Sequence, residues 1–182
     1  MDWKHAMRFL ATVAVLSISI GHDKARADVV MPRFHSCFIA AGAKYKLSPT
    51  LLKGVALTES SGRDNATNTN HSPTTKSVDV GLMQINSGWF PLLESRYGIK
   101  PMRLKDGCTS IDVGAWILAH EFKRHGNQWA AVGAYNAACT RLKGVACAKA
   151  RQAYSWKVFN MMMRVEKAEK ASPEQQAGGH RA

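Results

Sequence analysis

Apolar residues recur at helical spacing along most of the chain. From Phe34 to Leu47 the positions Phe34, Phe38, Ala41 and Tyr45 repeat at i, i+4, i+7 and i+11 and predict a first amphipathic helix. Ser48 followed by Pro49 is a helix start, and the stripe Leu51, Leu52, Val55 and Ala56 carries a second helix to Glu59, with Gly62 as its stop. Ser87 to Leu93 opens a short helix that ends near Gly98, and Pro101 punctuates the connection. Ile111, Ala115, Leu118 and Phe122 define a long helix with a basic end at Lys123 and Arg124 and a stop at Gly126. Trp129, Val132 and Asn136 mark one face of the next helix, and Tyr154, Val158 and Met162 mark one face of a last helix over about Ala148 to Glu166.

The stretches between these helices differ in kind. Arg63 to Val78 holds seven Asn or Thr residues and almost nothing apolar, which makes it a long polar loop inside a compact domain, a feature usually functional or mobile. A small hairpin near Val78 is the one strand expected, so the fold class is mainly α. Beyond Glu166 periodicity is lost, and residues 167–182 read as a disordered tail. At the other end, Lys4 and Arg8 precede the apolar run Phe9 to Ile20, and Ala25-Arg26-Ala27 offers small residues where a signal peptidase reads. Residues 1–27 are therefore expected to be a signal peptide cleaved after Ala27, and residues 28–166 a single domain. The apolar run falls short of the roughly 20 residues a membrane span needs, so no integral span is expected after cleavage.

Four cysteines, Cys37, Cys108, Cys139 and Cys147, all lie after that cleavage point. An even count in an exported chain favours disulfides. Three connectivities are possible, and Cys37 with Cys108 and Cys139 with Cys147 is preferred because the second pair closes a short loop containing Gly144. Zinc is disfavoured, since no Cys-x-x-Cys or paired Cys/His spacing is present. No metal or cofactor is implied.

The chemistry centres on Glu59. It sits at i+4 from Val55 and i+7 from Leu52, so its carboxyl falls on the apolar stripe and points inward. Burial and the nearby negative end of the helix dipole both disfavour the charged form, which is the condition a general acid needs near neutral pH. Charge narrows the partners. The chain has a net charge of +12, and loss of residues 1–27 would leave 21 basic against 11 acidic residues. This suits a polyanion, but the export signal, the spread of Lys and Arg and the lack of a recognition motif argue against nucleic acid.

Glu59-Ser60-Ser61-Gly62, then Gly81-Leu82-Met83-Gln84-Ile85-Asn86, then Ala134-Tyr135-Asn136-Ala137 occur in order. These three elements resemble the catalytic domain of the soluble-type lytic transglycosylases, most closely the small members that serve secretion, conjugation and pilus machines. The resemblance covers roughly Cys37 to Asn160. It implies a lysozyme-like fold of the goose-type lysozyme and lytic transglycosylase kind, a periplasmic location and peptidoglycan glycan strands as substrate. It also implies Glu59 as catalytic acid and base, with Ser60, Gly81, Gln84, Asn86, Tyr135 and Asn136 binding substrate. Gln84 and Asn86 would present amides to the sugar, and Gly81 would let the backbone approach it. Two positions depart from the family pattern. Ala138-Cys139 follows Ala137 where many members have glycine, and Asn86 stands where many have methionine. Rival readings are a hydrolytic lysozyme, with Asp64 or Asp79 as a second carboxylate, and a non-catalytic wall-binding module.

Overall fold

The computed structural model describes residues 31–70, 76–126, 128–139 and 142–171. The expected signal peptide and most of the expected tail lie outside the described residues. Among the described residues there are six α-helices, which we number α1 (His35–Tyr45), α2 (Pro49–Ser60), α3 (Phe90–Tyr97), α4 (Gly107–His125), α5 (Gln128–Asn136) and α6 (Gly144–Lys170). Short 3₁₀ turns at Pro32–Phe34, Ser87–Trp89 and Pro101–Lys105 link them. The mainly α expectation holds.

Local chemistry sets the helix ends. Ser48 Oγ accepts from the Leu51 amide, and Asp106 Oδ1 accepts from the Thr109 amide at 2.9 Å, so both α2 and α4 begin on a side-chain cap. Helix α2 stops one residue earlier than its glycine predicts: Ser61 already takes the left-handed conformation, with φ 55°, and Gly62 follows at φ 81°. Helix α6 extends past the expected span at both ends. At its C-terminus Val165 and Ala168 are buried, and Glu169 pairs with Lys53, a buried lysine on α2. The chain from 167 to 170 is therefore helix held by packing and an ion pair, not tail.

The core lies between α1, α2, α4 and α6. Phe38, Leu52, Val55, Ile111, Leu118 and Val158 are fully enclosed there. Helix α2 runs through the middle and meets α6 closely at Gly54, where a Cβ would lie 3.1 Å from the Met162 amide nitrogen and 3.2 Å from the Val158 carbonyl oxygen. That approach sets the distance between the two helices one turn before Glu59.

A three-stranded antiparallel sheet completes the fold: β1 (Thr67–Asn68), β2 (Asp79–Val80) and β3 (Ile85–Asn86), in that order. Thr67 pairs with Val80 and Asn68 with Asp79, while Asp79 pairs with Asn86 and Val80 with Ile85. The hairpin expected near Val78 is β2 and β3; β1 is an addition from the polar loop, where no apolar alternation announces a strand. The turn Gly81 to Gln84 buries Leu82 and Met83 completely. Ser110 Oγ on α4 accepts from the Met83 amide at 3.0 Å. Gly81 is required by packing: its φ is 86°, and a Cβ would fall 1.9 Å from the Leu104 carbonyl oxygen.

Two disulfides join Cys37 to Cys108 and Cys139 to Cys147. The first ties α1 to the opening turn of α4 across 71 residues. Replacing Cys37 and Cys108 together by alanine should lower the unfolding free energy by about 2–4 kcal/mol, read from urea melts with and without reductant. The gap between variant and wild type should close when both are reduced.

Candidate active site

Glu59 sits in the last turn of α2, where the stripe Leu52, Val55 and Ala56 turns it toward the interior. Its Oε1 accepts a hydrogen bond from the Tyr154 hydroxyl on α6. Burial raises its pKa to about 7; the Tyr154 bond opposes that rise, the negative charge of Asp79 adds to it, and the positive charge of Lys157 opposes it. A carboxyl in this state is half protonated near neutral pH, so it can give a proton and take one back.

Tyrosines flank the carboxyl. Burial, followed by the charge of Glu59, pushes the Tyr154 phenol well above its ordinary value, so it stays a donor. Tyr135, near the end of α5, donates to the Met83 carbonyl at 2.9 Å. Its phenol is likewise raised by burial and by the charges of Glu59 and Asp79. The three-element pattern in the sequence thus converges: the α2 end, the Gly81 turn and the α5 end meet around one carboxyl.

Several predicted site residues are placed otherwise than as free ligands for sugar. Ser60 is buried, and its hydroxyl donates to the Ala56 carbonyl at 3.1 Å, inside its own helix. Gln84 has φ 47°, and its side-chain amide donates to the Gly81 carbonyl at 2.9 Å and the Ala66 carbonyl at 3.3 Å. It clasps the turn to the β1 side. Asn86 donates to Asp79 Oδ1 at 2.7 Å, while its own Oδ1 accepts from the Gly88 amide at 2.9 Å and caps the 3₁₀ turn. Asn136 is exposed at the last position of α5.

The two candidate second carboxylates separate cleanly. Asp64 is paired with Arg33 at 3.1 Å. Asp79 is the one whose charge reaches Glu59 and Tyr135. Tyr154 is the site residue that the sequence pattern hides, because it lies on the stripe with Val158 and Met162 and reads as core. The available signal was chemical: a buried phenol needs a hydrogen-bond partner, and its aliphatic neighbours supply none.

Residues 36–157 match the family model described as Transglycosylase SLT domain. The chain is 48% identical over 102 residues to the X polypeptide of Escherichia coli, an alignment covering 56% of this chain and 58% of that one. It is 39% identical over 106 residues to a peptidoglycan-binding-like protein of Escherichia coli O157:H7, covering 56% and 64%. To the invasion protein IagB of Salmonella typhimurium it is 38% identical over 101 residues, covering 56% and 61%. The chain thus spans about three-fifths of the length of these relatives.

The charges around Glu59 give opposite signs for two substitutions. Asp79→Asn removes a like charge and should lower the Glu59 pKa, whereas Tyr154→Phe removes a donor that favours the carboxylate and should raise it. A carbon-detected NMR titration of the Glu59 carboxyl checks both; shifts in the same direction would contradict this account of the site.

Proposed function

The chain belongs to the Transglycosylase SLT domain family, and from that premise we propose that it cleaves the β-1,4 bond between MurNAc and GlcNAc in peptidoglycan with formation of 1,6-anhydroMurNAc. Its fold is accordingly lysozyme-like and mainly α. The observation that carries the reading is a largely but not wholly buried glutamate, held by a tyrosine, whose pKa is raised to about 7.

Glu59 in its acid form protonates the glycosidic oxygen as the bond to C1 of MurNAc breaks. Positive charge develops at the sugar ring, where the N-acetyl group of the substrate can meet it. The Glu59 carboxylate then takes the proton of the C6 hydroxyl as that oxygen bonds to C1, which regenerates the acid and consumes no water. Tyr154 steadies the carboxyl in both states, since its raised phenol remains a donor throughout. Tyr135 fixes the Met83 carbonyl and with it the buried turn beside the site.

The setting we propose is the periplasm, reached by way of residues 1–27, with local opening of the wall for a secretion, conjugation or pilus apparatus. The similarity to an invasion protein supports this. Among the described residues no helix is long and apolar enough to cross a membrane. A second reading, hydrolysis, draws support from Asp79, because a carboxylate whose charge reaches Glu59 could also serve an attacking water.

Glu59→Gln keeps the shape of the side chain but cannot cycle a proton, so release of muropeptides from purified sacculi should fall by at least about 10²-fold while sacculus binding persists. Lysis near the wild-type rate would remove Glu59 from the chemistry and favour a wall-binding module. Mass spectrometry of the wild-type products should find anhydro ends without oxygen taken from labelled water. Reducing ends that carry the label would convert the reaction to that of a lysozyme.

A further inference from the structure

Helix α6 has a second face that the cleft does not use. Tyr154 and Val158 turn inward toward α2, but Trp156 lies about 200° round the helix from Tyr154 and is 57% exposed. On that side a groove of about 780 Å³ opens between α6, the start of α5 and the segment carrying the Cys139–Cys147 bond. Trp129 and Trp156 each meet the Phe159 ring edge-on at 5.5 Å, which makes a wall of interlocked aromatics. Leu142 in the groove is 46% exposed, and neighbouring Val145 is 71% exposed. So much contiguous apolar surface is unusual unless something covers it.

Polar groups in the groove largely serve the fold. Ser155 donates to the Trp129 carbonyl at 2.7 Å, and Arg151 Nε donates to the Ala137 carbonyl at 3.0 Å. Lys143 Nζ donates to the Cys139 carbonyl at 3.3 Å. The formal charge is of one sign. Lys143 and Arg151 line the groove, Lys149 stands on the same helix, and the sequence holds no Asp or Glu between Glu121 and Glu166.

We propose that this groove docks a segment of another protein that carries an aromatic or leucine anchor flanked by aspartate or glutamate. The anchor fills the space between Trp129, Trp156 and Phe159, and its acidic neighbours meet Lys143 and Arg151. A sugar chain fits less well, because it needs many hydrogen-bond partners and this wall offers ring edges and a disulfide. A second copy is disfavoured by repulsion, since each chain carries a net charge of +12 and brings the same basic face. A lipid surface calls for a protruding patch, whereas these aromatics line a concavity.

The test uses the full chain with a displayed library of random 12-residue peptides, counter-selected on the double variant Trp156→Ala, Lys143→Glu. Both side chains are exposed, and Lys143→Glu alone replaces the double variant if its circular dichroism spectrum changes. The selected consensus should contain an apolar anchor with flanking acidic residues. A synthetic peptide of that sequence should bind the wild type at least tenfold more tightly than the variant, and more weakly as salt rises. Several results would overturn the proposal: no enrichment; enriched sequences without acidic residues; equal binding by the variant; binding confined to phosphatidylglycerol vesicles; or dimerisation that the variant abolishes.

Discussion

Keeping one carboxyl out of water at the end of α2 is the constraint on which the remaining architecture turns. Raising the Glu59 pKa to about 7 means that its charged form costs on the order of 3 kcal/mol relative to the unfolded chain. The sign follows from proton uptake: between about pH 4.5 and 7 the folded state binds more protons than the unfolded one, so stability falls as pH rises through that window. That cost must be offset by the packing of α2, and the helix is held on both flanks. Gly54 lets α6 approach to backbone distance, while Lys53, buried one residue earlier, reaches Glu169 near the end of the same helix. The His35 ring on α1 also lies 3.4 Å from the Lys53 ammonium. Glu59 and Tyr154 are therefore set against each other by contacts elsewhere along the two helices.

The opposite wall of the site is built mostly of backbone. Leu82 and Met83 are anchors, pulled into the core so that the turn around them cannot shift, and Gly81 is pinned under the Leu104 carbonyl. Side-chain amides then knit the turn to its neighbours: Gln84 to β1, and Asn86 to Asp79 and to the following 3₁₀ turn. A rigid wall of this kind costs little to organise when substrate arrives, because its hydrogen bonds already exist. Asp79 is held in the same network through Asn86, which places a negative charge near Glu59.

Much of this could be read from residue spacing, and the failures have a common cause. Glu59 was legible because one helical stripe, Leu52 to Val55 to Glu59, carries both the burial and the chemistry. The helices were legible for the same reason, including the start of α2 at Ser48 and Pro49. What spacing could not show was how side chains would be used once distant segments met. Gln84 and Asn86 read as open amides, yet each is consumed by backbone or carboxylate partners that depend on the strand register. Tyr154 read as core because its partner lies 95 residues away in sequence. The last turn of α6 escapes the apolar spacing because Lys53, distant in sequence, holds it through Glu169.

Charge distribution joins the site to the remaining surface. A chain with a net charge of +12 favours the charged form of its carboxyls on average, and so works against a raised Glu59 pKa. Lys157 shows the effect directly, since its charge opposes the rise in the Glu59 pKa. Two features counter it: burial, the larger, and Asp79, placed on the sheet side away from the basic outer face of α6. The same helix thus separates two electrostatic environments. Its Tyr154 side faces a carboxyl whose pKa is raised to about 7 by burial and a like charge, and its Trp156 side presents cations to solvent. Charges on the outer face are screened by water over roughly a Debye length, about 8 Å at physiological salt, whereas Lys157, whose charge reaches Glu59, belongs to the inner environment.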